Sequence, residues 1–195
     1  MLDIGTEIHG RKIRMAITVT QINYSDIDQT ILRECFDDSL PYLDAEKPNI
    51  IWEDFSLTKD NTDDEKFEAL RAKFETSPIV FKTELDGRIV SYAEGGREIQ
   101  GTGMFCHMID LMRKDANGSR SWSYTQGTEY SQALDTFYKS ISDNNPQSSL
   151  WVVEGSSMEA SNDDAVTQGC LTYTTQETVT HHGYTYKKLV ITIIV

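Results

Sequence analysis

Apolar positions along the chain follow two periods, and the switches between them outline the elements. Residues 13–22 (IRMAITVTQI) are β-branched and mostly apolar, which predicts a strand. Ser25 and Asp26 then open a helix whose buried stripe is Ile27, Ile31, Leu32, Cys35, Phe36 and Leu40, with Pro41 limiting its continuation. A short helix follows Thr62, facing inward through Phe67, Leu70 and Phe74 and ending at Pro78. In IVFKTELDGRIVSYAEGG two strand patterns flank Asp86-Gly87, which predicts a hairpin with a type I′ turn. Residues 103–112 (GMFCHMIDLM) form a strand apolar on both faces and therefore central. The most regular helical period lies in YTQGTEYSQALDTFYK (124–139) and just beyond, where Tyr130, Ala133, Leu134, Phe137, Tyr138 and Ile141 make one stripe. SLWVVEG (149–155) predicts a short buried strand and SSMEASNDDAV a weak helix. CLTYTTQETVT and YTYKKLVITIIV form a hairpin across His181-His182-Gly183.

The predicted order is β-α-α-β-β-β-α-β-α-β-β. Two hairpins require antiparallel pairing, while the strand–helix–strand unit at 103–155 invites a parallel crossover. The expectation is an α/β fold with a mixed, mostly antiparallel sheet and helices on both faces. The polar stretches at 58–65 and 142–149 are too short to separate domains, so residues 1–195 read as a single domain.

Composition narrows the function classes. Of the 195 residues, 38% are hydrophobic and 25% charged, as in a globular chain. The net charge of −13 argues against a nucleic-acid surface or docking on anionic membranes, and permits a basic partner or an amine substrate. Cys35, Cys106 and Cys170 are too widely spaced for a zinc site or disulfide framework, and Cys35 falls on an apolar helix face. The N-terminus has no signal-peptide core, and the longest apolar run, LVITIIV, is too short to span a bilayer. These features suggest a cytoplasmic setting.

The order of elements and the loop positions resemble the GNAT superfamily of N-acetyltransferases from about residue 13 to 195. In that family a loop of the form Gln/Arg-x-x-Gly-x-Gly/Ala opens a helix, and its amides hold the pyrophosphate of acetyl-CoA. A helix N-terminus with free N–H groups favours an anion. Here the loop reads Gln126-Gly127-Thr128-Glu129-Tyr130-Ser131. Gln126 matches, as do Gly127, Tyr130 and Ala133-Leu134. Glu129 stands at the first required glycine and Ser131 at the last. A carboxylate there repels a phosphate by about 1 kcal/mol in water at 4 Å, and more without water; it also complements the helix dipole behind a Thr128 N-cap. A second family signature, Asn-x-x-Ala followed four residues later by a tyrosine general acid, appears as Asn162-Asp163-Asp164-Ala165. Gly169 holds the tyrosine position, and the nearest tyrosine downstream, Tyr173, lies on the next predicted strand. Glu94, His107 and Asp110 are the candidate general bases near the splayed central strands, and Asp110 is the best placed by analogy.

Other features read more plainly. His181-His182 is a polar turn rather than a metal site, and Asn117-Gly118-Ser119 is a glycosylation acceptor without a secretory signal. Arg113, Lys114 and Arg120 form a small basic patch that either meets a phosphorylated adenosine or ends a solvated loop. KKLVITIIV (187–195) needs pairing on both sides, as the inserted last strand of a GNAT-like sheet of about seven strands or against a partner subunit. Two functions follow. The departures at Glu129 and Gly169 favour a non-catalytic relative serving assembly with protein partners, for example as a phage structural protein in a virion. The alternative is an acetyl-CoA-dependent N-acetyltransferase acting on an amine.

Overall fold

The computed structural model describes residues 5–8, 11–14, 17–45, 50–95, 97–98, 105–106, 109–114, 150–169, 171–181 and 183–193. A strand pair, β1 (Gly5–Ile8) and β2 (Arg11–Arg14), precedes β3 (Ile17–Ile22), so the single strand expected over 13–22 is divided between β2 and β3. A 3-10 turn at Tyr24–Asp26 leads to α1 (Gln29–Ala45) and α2 (Ile50–Asp54), which periodicity does not suggest. Then come α3 (Asp63–Thr76), β4 (Ile79–Leu85), β5 (Arg88–Gly95), β6 (Arg97–Glu98), β7 (Phe105–Cys106) and β8 (Ile109–Met112). The chain closes with β9 (Leu150–Val153), α4 (Ser157–Thr167), β10 (Leu171–His181) and β11 (Tyr184–Ile193). The helix expected over 130–141 lies outside the described residues.

β3, β4, β5 and β8 form an antiparallel sheet in that order. Asp86 (φ 49°) and Gly87 (φ 80°) both have the positive φ that their turn requires. α1 lies against β5 and β8. Tyr92 and Leu111, opposite each other on β5 and β8, join Leu32, Phe36, Trp52, Leu70 and Phe74 in one buried cluster. Each such side chain contributes about 1.5–3 kcal/mol through burial.

Two local expectations are corrected. The helix starts not at Ser25-Asp26 but behind Asp28, whose Oδ1 accepts from Thr30 N (2.9 Å) and Ile31 N (3.1 Å). Ile27, buried as expected, therefore precedes the helix. Nor does Pro41 stop it: α1 continues to Ala45 with the proline exposed. Tertiary anchors on both sides outweigh the lost amide. Ser39 Oγ donates to Cys35 O (2.6 Å) and accepts from Met112 N on β8 (3.1 Å). Past the proline, Asp44 accepts from Lys66 Nζ and from Trp52 Nε1, both at 2.8 Å.

A second sheet runs β10-β11-β9-β7-β6. The C-terminal strand β11 lies between β9 and β10, but its ladder with β9 ends at Leu189. Of the apolar LVITIIV segment only Leu189 has a strand on both sides among the described residues, and Val190 to Ile193 pair with β10. β7 and β9 pair in parallel through Cys106 and Trp151. Every other ladder is antiparallel, so the mixed architecture matches expectation. The seven strands foreseen correspond to β3, β4, β5, the β7–β8 segment, β9, β10 and β11, shared between the two sheets.

Candidate active cleft

The segment 105–112 belongs to both larger sheets. Its first part, β7, pairs with β9; a few residues on, β8 pairs with β5 and, among the described residues, no longer with β9. The two larger sheets thus meet at this segment, and β9 itself ends at Val153. Asp110 sits on β8 beyond this junction, buried at 3% exposure and opposite Ala93. Glu94 is fully buried on β5, opposite Ile109.

Strand alternation separates these two carboxylates. Glu94 shares a face with Tyr92, the face that packs on α1 and α3. Asp110 shares the other face with Phe81, Thr83, Ser91 and Ala93, all buried. Thr83 and Ser91 stand opposite each other there, and Thr83 Oγ1 has no hydrogen-bond partner among the described residues. Asp110 therefore belongs to a polar strip on a closed sheet face, while Glu94 looks into the helical core. His107 lies outside the described residues, as do Gln126, Gly127, Thr128, Glu129, Tyr130 and Ser131.

The Asn162-Asp163-Asp164-Ala165 signature falls on α4, as expected. Ser156 caps this helix by accepting from Glu159 N (3.2 Å), and Asn162 and Ala165 are buried. Gly169 has φ 73°, a left-handed conformation just past the helix. Tyr173 lies on β10 and its hydroxyl donates to Asp163 Oδ1. Burial, followed by this bond to a carboxylate, pushes the Tyr173 phenol up to about 12. A phenol so engaged is a poor proton donor to anything else.

Sequence reasoning missed a cluster beside this helix. Lys187 on β11 meets Glu159 Oε1 (2.7 Å) and Glu154 Oε1 (2.9 Å), and Gly155 N donates to Glu159 Oε2 (2.8 Å). Burial alone would raise the Glu159 carboxyl, but Lys187 and the Gly155 N–H outweigh it and leave it lowered. The signal was present in Ser156-Ser157-Met158-Glu159, a capping-box spacing. The basic patch resolves differently from either expectation at two of its members. Arg113 pairs with Glu34, and Lys114 Nζ lies 3.3 Å from Asp38 Oδ1, so both cations clamp the end of β8 to α1. Arg120 lies outside the described residues.

No family profile and no curated protein sequence matches the chain. Solved structures do. RimL, a ribosomal L7/L12 alpha-N-protein acetyltransferase in complex with coenzyme A, aligns over 91% of this chain and 94% of its own at a TM-score of 0.50 and 9% identity. The apo form of RimL aligns over 97% and 99% at the same TM-score of 0.50 and 8% identity. The chain has a GNAT-like fold. At these identities the likeness shows the fold alone. Among the described residues, no helix is long and apolar enough to cross a membrane, and no group of three His, Cys, Asp or Glu is placed to hold a metal ion.

Proposed function

We propose that this protein is an acetyl-CoA-dependent N-acetyltransferase acting on an amine substrate. The observation that carries the reading is the GNAT-like fold, with buried Asp110 on the segment where the two larger sheets meet. By sequence, residues 126–131 are those that would hold the pyrophosphate, through backbone amides at a helix start. Bound acetyl-CoA would supply an activated thioester. Asp110 is the residue assigned to accept the proton of the attacking ammonium. An amine also suits a chain of net charge −13.

One observation favours a second reading, a non-catalytic relative that keeps the scaffold for assembly. Tyr173, the nearest tyrosine after the helical signature, is committed to Asp163, and Gly169 supplies no replacement. The deciding experiment is a turnover assay with acetyl-CoA and a panel of amines, run on the wild type and on Asp110→Asn. Thiol release that the wild type shows and Asp110→Asn loses supports the enzyme. Binding of acetyl-CoA without turnover on any amine leaves the assembly reading.

A further inference from the structure

Because β11 is inserted between β9 and β10, β10 forms one margin of the second sheet and β6 the other. It is eleven residues long, and among the described residues no strand pairs with its outer side. Thr172, Thr174 to Thr178 and Thr180 are exposed. Edge strands are ordinarily protected by lysines, prolines or bulges. Residues 171–181 (LTYTTQETVTH) contain no Lys, Arg or Pro, and one carboxylate, Glu177. The one protective device is a register shift between Thr175 and Glu177. It leaves Glu177–His181 as an uninterrupted ladder against β11.

That segment is self-complementary. Read as Glu-Thr-Val-Thr-His, it is nearly symmetric about Val179. Antiparallel pairing with a second copy across a two-fold axis at Val179 sets Thr178 opposite Thr180 and Glu177 opposite His181. It sets no two carboxylates opposite each other, in a chain whose net charge of −13 otherwise opposes self-association. The hydrogen-bond parity agrees. His181 and Tyr184 close a two-residue connection, so they exchange bonds within the hairpin. Alternation then turns the N–H and C=O groups of Thr180 and Thr178 outward. In the two-fold arrangement these residues face each other as hydrogen-bonded pairs, and threonine pairs opposite one another are favourable. We infer that residues 177–181 form a homodimer interface by strand addition between two copies of this chain.

Light scattering across a concentration series tests this. The wild type is expected to approach twice the 22.1 kDa chain mass as concentration rises. Thr178→Pro removes an outward N–H and should return the mass to 22.1 kDa with an unchanged circular dichroism spectrum. Val179→Lys and Val179→Glu each place like charges at the axis and should each be monomeric, whereas a mixture of the two should form a heterodimer. The charge-swap mixture decides the matter even if the proline variant fails to fold. A wild-type mass of 22.1 kDa at every concentration overturns the inference. So does a dimer that all three variants leave intact, which would place the interface elsewhere.

Discussion

Lys66 and Lys187 both hold carboxylates between elements, yet they do different work. Lys66 is 1% exposed; its ammonium lies 2.8 Å from Asp44, 2.6 Å from Lys59 O and 5.2 Å from the Trp52 ring centroid. It joins α1, α2 and α3 inside the apolar core. Lys187 is half-buried and bridges Glu154 and Glu159, between the end of β9 and the start of α4. A cation without water depends on each partner, whereas a half-exposed one can fall back on solvent. The first half of the molecule is thus closed around an ion pair, and the second is adjusted by one.

The largest effect should follow from Asp44→Ala. It strips the buried ammonium of its counter-ion and the Trp52 N–H of its acceptor, and should cost about 3 kcal/mol in urea unfolding, with a change in tryptophan fluorescence. Lys187→Met should cost less, about 1–2 kcal/mol. Its signature is in the acid limb. Glu159 is lowered in the folded state, so its contribution is present above its ordinary value of 4.5 and is lost as pH falls through the folded value. Without Lys187 that loss should shrink in an acid titration of stability.

Tyr173→Phe tests the same region more gently. Removing the donor to Asp163 should cost about 0.5–1.5 kcal/mol at neutral pH. The phenol is raised in the fold, so its contribution is complete below its ordinary value of 10.0 and is lost as pH climbs toward about 12. Turnover should survive the substitution, because the hydroxyl is already committed. The smallest effect is a gain. Ser56 has φ 57° at the end of α2, where Leu57 N bonds Trp52 O (2.8 Å) and Ser56 N bonds Glu53 O (2.9 Å). Ser56→Gly should relieve the left-handed strain and raise stability by about 0.5–1 kcal/mol, read by thermal denaturation.

What the chain revealed in advance follows from range. Signals contained within a few residues were legible: the Asp86-Gly87 turn, the hairpin ending at His181, and the start of α3 behind Thr62, which accepts from Glu65 N (3.3 Å). Features set by distant partners were not. The persistence of α1 past Pro41 depends on Met112 and Lys66, and β1 and β2 carry too little periodicity to stand out. The site divides in the same way. That Asp110 lies on a strand was readable from the apolar run around it; that β8 ends its four-stranded sheet, paired with β5 alone among the described residues, was not. That Glu94 and Asp110 occupy opposite faces depends on the β5–β8 register, which pairs Asp110 with Ala93. The engagement of Arg113 and Lys114 by α1 required the packing of helix on strand.

The central claim, that this GNAT-like scaffold still takes acetyl-CoA, is tested most directly by thermal denaturation with increasing acetyl-CoA. At a hundred times its dissociation constant the ligand should stabilise the fold by about 2.7 kcal/mol, roughly 5–10 °C in Tm for a chain of this size. Glu129→Gly should move that response to lower ligand concentration. An unchanged Tm at millimolar acetyl-CoA, in both the wild type and Glu129→Gly, would contradict the account.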